Sequence, residues 1–146
     1  MTNKDVEDDR HHVLQNKNIP GYVAIYRIHG PFLFGATEKL SVVTDGLEEQ
    51  PSIVILRLRN MTAIDATGLL AIEELADKLH ASGRELLLCG ARPQPAALMQ
   101  QVEFERHVGR ENICPHIDAA LRRAKMLHEA SYSVEKWIGR RTRVVS

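Results

Sequence analysis

Two stretches of this chain, Ile53-Val54-Ile55-Leu56-Arg57-Leu58 and Arg84-Glu85-Leu86-Leu87-Leu88-Cys89, carry apolar residues almost without interruption. A strand with one wet face alternates apolar and polar side chains. A run that is apolar on both sides must be covered on both, as in a parallel sheet. Parallel neighbours need a crossover, usually a helix, and the sequence between the two runs supplies one. Leu69, Ile72, Ala76 and Leu79 recur at helical spacing to about Ala81, and Gly83 stops the run. This alternation predicts an α/β domain with helices packed on a mixed sheet.

The flanking segments extend the pattern. Tyr22-Val23-Ala24-Ile25-Tyr26-Arg27-Ile28 is β-branched and aromatic, follows Pro20-Gly21, and reads as a first strand. His29-Gly30-Pro31 breaks it, and Phe32-Leu33-Phe34 forms a short second strand or a close approach to the core. Leu40, Val43 and Leu47 predict a helix to about Glu49, capped by Gly35 or Thr37. Asn60-Met61-Thr62-Ala63-Ile64 reads as a connecting loop. Pro93 and Pro95 open a helix carrying Ala97, Leu98, Gln101 and Val102, and Ile113-Cys114-Pro115 leads to a last helix through Ile117, Ala120, Leu121 and Ala124. The expected organisation is a flexible polar linker over 1–18, one domain over 19–128 and a loosely ordered tail over 129–146, where Tyr132 and Trp137 are scattered among polar residues.

Charge excludes some classes of partner. Lys plus Arg number 19, as do Asp plus Glu, so the basic surplus that neutralises nucleic-acid phosphates is missing. Cys89 and Cys114 are too few for a disulfide framework and are not spaced as zinc ligands. No apolar run approaches the roughly 18 residues of a membrane span, and Met1-Thr2-Asn3-Lys4-Asp5 has no signal-peptide core. The chain as written therefore reads as cytosolic, whether alone or as part of a longer membrane protein.

No catalytic pattern emerges. A nucleophile elbow, a phosphate-binding loop, paired zinc histidines and a C-x-x-C pair are all missing from the sequence. His29, His80, His107, His116 and His128 are dispersed singly, and His11-His12 has no third ligand at metal spacing. Glu73-Glu74 and Glu103/Glu105 read as solvated helix faces, and Arg57 and Arg59 as surface groups or as attractors of an anion. The expectation is a non-catalytic domain without metal or cofactor.

The most informative stretch is Asn60 to Leu70. A buried strand leads to a polar turn where a helix starts, and ligands of open α/β sheets gather at the carboxyl ends of strands. Helix-terminal N–H groups favour phosphate or carboxylate. Asp65 can cap those groups, and Gly68 allows close approach to the backbone. Capping and packing are the commonest use of such residues; a nucleotide or anion at the Asp65 helix start is the sharper alternative.

Ile64-Asp65-Ala66-Thr67-Gly68-Leu69, behind its apolar strand, resembles the signature of STAS domains, the family shared by sulfate transporters and anti-sigma-factor antagonists. Ile19-Pro20-Gly21-Tyr22 and Arg27-Ile28-His29-Gly30-Pro31-Phe32-Leu33-Phe34-Gly35-Ala36 resemble the opening of the cytoplasmic STAS domains of bacterial SulP anion transporters. Leu87-Leu88-Cys89-Gly90 and Asn112-Ile113-Cys114-Pro115 are similar to the same branch, so the resemblance covers roughly Ile19 to Lys125. It implies a roughly four-stranded mixed sheet with helices mainly on one face. It also implies attachment to the transmembrane part of a SulP-type transporter, a regulatory or docking role, and a binding loop of Asp65, Ala66, Thr67, Gly68 and Leu69. A cytosolic regulatory protein is a second implied partner. In the antagonist branch the residue after the motif aspartate is usually a phosphorylatable Ser or Thr; here it is Ala66. Thr67 keeps a hydroxyl, so a stand-alone antagonist modified there remains the alternative, beside a nucleotide- or anion-sensing module.

Overall fold

The computed structural model describes residues 6–8, 19–34 and 36–145. Its strands are β1 (Val6–Asp8), β2 (Val23–Ile28), β3 (Gly30–Phe32), β4 (Ile53–Arg57), β5 (Met61–Ile64), β6 (Glu85–Cys89) and β7 (Ile113–Cys114). Its α-helices are α1 (Ser41–Thr44), α2 (Ala66–Ala81), α3 (Pro93–Met99), α4 (Val102–Val108) and α5 (Ile117–Val145). The main sheet has the order β1-β2-β4-β6-β7. β1 is antiparallel to β2, and every other pairing in it is parallel. The α/β class and the mixed sheet expected from the apolar runs are thus present, with β1 and β7 as short outer strands.

Alternation along the central strands builds two cores. Ala24, Tyr26, Ile28, Val54, Leu56, Leu58, Leu86 and Leu88 face one way and pack with α2 and α4 through Ile72, Leu75, Leu79, Phe104 and Val108. Val23, Ile25, Ile53, Ile55, Leu87 and Cys89 face the other way, where Ala120 and Ala124 of α5 lie against them. Helices therefore gather mainly on one face, and α5 alone closes the second. Small residues at 120 and 124 let α5 sit close to the β-branched rows beneath it.

Four local expectations change. The helix foreseen to Glu49 is a 3-10 turn (Ala36–Leu40), the single turn α1 and another 3-10 turn (Leu47–Glu49). Val42, Val43 and Thr44 are β-branched and Gly46 follows, all poor helix formers; Leu40 and Val43 are buried nonetheless. Thr37 lies inside the first turn, and Gly35 lies outside the described residues. The loop foreseen over residues 60–64 is strand β5, which pairs in parallel with β3. The helix foreseen from Pro93 through Val102 breaks at Gln101, whose backbone is extended (φ −95°, ψ 141°). Val102 is consequently exposed, and Phe104 and Val108 do the packing.

Both ends also differ from the sequence reading. Residues 6–8, expected in a flexible arm, pair through their backbone with the edge of β2. Such pairing needs no apolar side chain, so composition could not show it. His11 and His12 lie outside the described residues. At the other end, α5 stays helical to Val145, well past Glu129 where the apolar spacing fades. Glu135, Lys136, Arg140 and Arg141 are good helix formers by intrinsic preference, which apolar spacing does not register.

Candidate functional site

β5 ends at Ile64 and α2 begins at Ala66, so Asp65 alone forms the turn. Its backbone is extended, and its carboxylate caps the helix: Oδ1 accepts from the Gly68 N–H at 2.9 Å. Oδ2 accepts from the Phe34 N–H at 3.1 Å, which ties the end of the β3 segment to the start of α2. Gly68 is buried, and a Cβ there would collide with the Phe32 carbonyl oxygen and lie 2.7 Å from Ile64 Cγ1. The close backbone approach that Gly68 allows is therefore made by the chain's own Phe32. Leu69 is buried in the core, Thr67 is half-buried and Ala66 is exposed.

Gln94 at the start of α3 completes the turn. Its amide accepts from the Ile64 N–H at 3.1 Å and donates to the Ile64 carbonyl at 3.0 Å. One side chain thus does for β5 what a neighbouring strand would do. Sequence reasoning missed Gln94, because nothing local marks a glutamine that bridges thirty residues back.

An anion at this helix start would meet the Asp65 carboxylate already seated on it. The surface beside the turn is apolar instead: Phe34 is 90% exposed, Leu70 53% and Leu33 41%. The loop residues read from the sequence, Asp65 to Leu69, thus surround one turn, with the Asp65 carboxylate engaged by Gly68 and Phe34 and with Leu33, Phe34 and Leu70 exposed beside it. Such a surface suits contact with protein.

A second polar region lies at the carboxyl ends of the parallel strands. Arg27 and Arg57 are register partners on β2 and β4, and Arg57 is the partner of Cys89 on β6. Arg27, Arg57, Arg59 and Asn60 line a cavity of about 290 Å³. Arg57 and Arg59 also line a second of about 320 Å³, with Cys89, Gly90, Pro115, His116 and Ile117 at the start of α5. Arg92 Nε donates to the Arg59 carbonyl at 2.7 Å.

Other groups singled out in the sequence meet partners within the chain. His107 Nδ1 lies 2.9 Å from Asp77, which raises its pKa above the ordinary 6.5, chiefly through that hydrogen bond. His80 meets Glu85 at 3.2 Å, and His128 stacks on Tyr22 with ring centroids 3.8 Å apart. His116 Nδ1 accepts from the Ala119 N–H at the start of α5. Glu103 pairs with Arg106 along one exposed helix face. Burial pushes the Cys114 thiol up, against the pull of Arg123 and Arg122. Among the described residues no group of three or more His, Cys, Asp or Glu could hold a metal ion, and no helix is long and apolar enough to cross a membrane.

Comparison with known proteins bears on the same region. A family model described as STAS domain matches residues 14–120. A crystal structure of a sulfate transporter family protein from Wolinella succinogenes is 37% identical, with a TM-score of 0.71 over 84% of this chain and 99% of that one. The SulP transporter STAS domain from Vibrio cholerae is 29% identical, with a TM-score of 0.65 over 84% of this chain and 96% of that one. A Bacillus subtilis (strain 168) protein named "Putative sulfate transporter YvdB" is 22% identical over 111 residues, which are 75% of this chain. The chain spans 21% of that protein's length.

Proposed function

This chain belongs to the STAS domain family, and from that premise we propose that it is the regulatory, protein-docking domain of a SulP-type transporter of sulfate or another inorganic anion. In this reading the chain works at the cytoplasmic face of the membrane. The transmembrane part of the same transporter carries the anion, and the domain docks against it or against a cytosolic regulator. The observation that carries the reading is the likeness to the Wolinella succinogenes protein, which extends over 99% of that chain at 37% identity. The outward apolar side chains Leu33, Phe34 and Leu70 around the Asp65 turn support a docking role. Ala66, exposed and without a hydroxyl, weighs against a phosphorylation-controlled antagonist.

The test is the coding DNA upstream of residue 1. A reading frame continuous with this chain and encoding several spans of about 20 apolar residues is the expected result. A natural frame limited to these residues would overturn the proposal. It would return the antagonist reading to the front, to be checked by mass spectrometry for phosphate on Thr67 after incubation with candidate kinases.

A further inference from the structure

We propose that Arg27, Arg57 and Arg59, with Asn60 and the first turn of α5, form a binding site for a tetrahedral oxyanion, a sulfate or a phosphate group. The inference is independent of the transporter reading and concerns a place distinct from the Asp65 turn. It starts from topology. β2, β4 and β6 run parallel, and their carboxyl ends open on one side of the sheet, where ligands of such sheets bind. Arg27 and Arg57 follow Ile25 and Ile55 by two residues, so they share the face that α5 covers. In register on strands about 4.8 Å apart, they hold like charges side by side.

Arg59 extends the cluster just beyond β4. Its backbone is fixed rather than loose: Arg92 donates to its carbonyl, and Gly90, at φ +75°, lies close beneath it. Leu58 N–H donates to the Cys89 carbonyl at 2.8 Å, holding the same corner. The two cavities share Arg57 and Arg59, so the groove runs from Arg27 to Ile117. At its far end begins α5, whose amino terminus adds partial positive charge.

The side chains that line the groove suit an anion. Glu7 stands in register with Arg27, and Asp118 lies in the first turn of α5. Three guanidiniums, of Arg27, Arg57 and Arg59, line one and the same cavity. Arginine forks match the paired oxygens of sulfate and phosphate, which a chloride ion lacks. The groove is near the lower limit of ligand-pocket size, enough for an oxyanion or for the headgroup that carries one.

The test titrates the full chain with sodium sulfate and with sodium phosphate at constant ionic strength set by chloride, followed by calorimetry and amide NMR. Saturable binding is expected, with shifts at Arg59, Asn60 and Ile117. The R57Q/R59Q variant should weaken it by about tenfold or more, the loss expected for charged hydrogen bonds. Circular dichroism and melting of that variant verify its fold, and R59Q alone, at an exposed position, serves if the double variant unfolds. Sedimentation with phosphatidylglycerol vesicles, against phosphatidylcholine vesicles, separates the sources. Arginine-dependent binding to the anionic vesicles alone would assign the site to a lipid phosphate. If neither anion nor vesicle binding exceeds the chloride and phosphatidylcholine controls, or if the variants bind as well as the parent chain, the proposal is overturned.

Discussion

The Asp65 turn and the arginine groove both stand where strands end, yet they are built in opposite ways. At the turn, neighbouring residues face inward. Asp65 uses one oxygen on Gly68 and the other on Phe34, and Phe32 fills the space over Gly68. At the groove, residues from β2, from β4 and beyond it, and from the start of α5 converge on open space. A conspicuous motif can thus be mostly architecture, while the open polar place is assembled from residues that no local pattern connects. Substitutions should separate the two: at the turn they should cost stability, and at the groove they should cost only binding.

The largest effect is expected at Gly68. On an exposed helix face, Gly to Ala stabilises by about 1 kcal/mol. Here the new methyl meets the Phe32 carbonyl and Ile64, and backbone cannot step aside as a side-chain tip can. G68A should therefore destabilise by about 3 kcal/mol, the cost of overpacking a tight contact. Chemical denaturation measures it. A stabilised G68A would mean that the turn is looser than its packing indicates, and the contrast with the groove would collapse.

Asp65 comes next. D65A removes a cap and the bond to Phe34, and should cost about 2 kcal/mol by the same measurement. D65N keeps one oxygen able to cap but turns an NH2 group toward the other N–H donor, so it should recover only about half of that loss. Equal losses in D65A and D65N would show that a single retained cap bond does not hold the turn, and that both acceptor oxygens are needed together. At Gln94, Q94A strips β5 of both amide bonds and should cost about 1–2 kcal/mol.

These sites also show what the sequence could reveal. Asp65 as a cap, Gly83 as a stop (φ +79°) and the rows of β4 and β6 were legible, because each follows from chemistry within a few residues. β5 was read as a loop because its partner β3 lies thirty residues away. Gln94 was invisible for the same reason, and the pairing of residues 6–8 runs through backbone atoms that any side chain permits. Arg57 and Arg59 were noticed as a pair, but only the parallel register brings Arg27 beside them.

A smaller effect belongs to the far half of α2. His107 of α4 meets Asp77 there, and its folded pKa is raised above 6.5. A raised histidine contributes stability that is complete below the unfolded value and is lost as pH rises through the folded one. The melting temperature should therefore decline slightly as pH rises above 6.5, and D77N should flatten that part of the profile. A decline unchanged in D77N would assign it to another group.

The smallest change in stability is expected at the groove itself. Arg59 is exposed, its placement depends on backbone contacts to Arg92 and Gly90, and its charge lies among others of the same sign. R59Q keeps the backbone contacts and lowers the repulsion, so its stability should stay within about 0.5 kcal/mol of the parent chain, with any shift favourable. Measured at low and at high salt, the difference between the two proteins should shrink as ions screen the cluster. A large loss in R59Q at both salt concentrations would make the guanidinium part of the scaffold, and the groove would then resemble the turn: a set of residues holding one another in place.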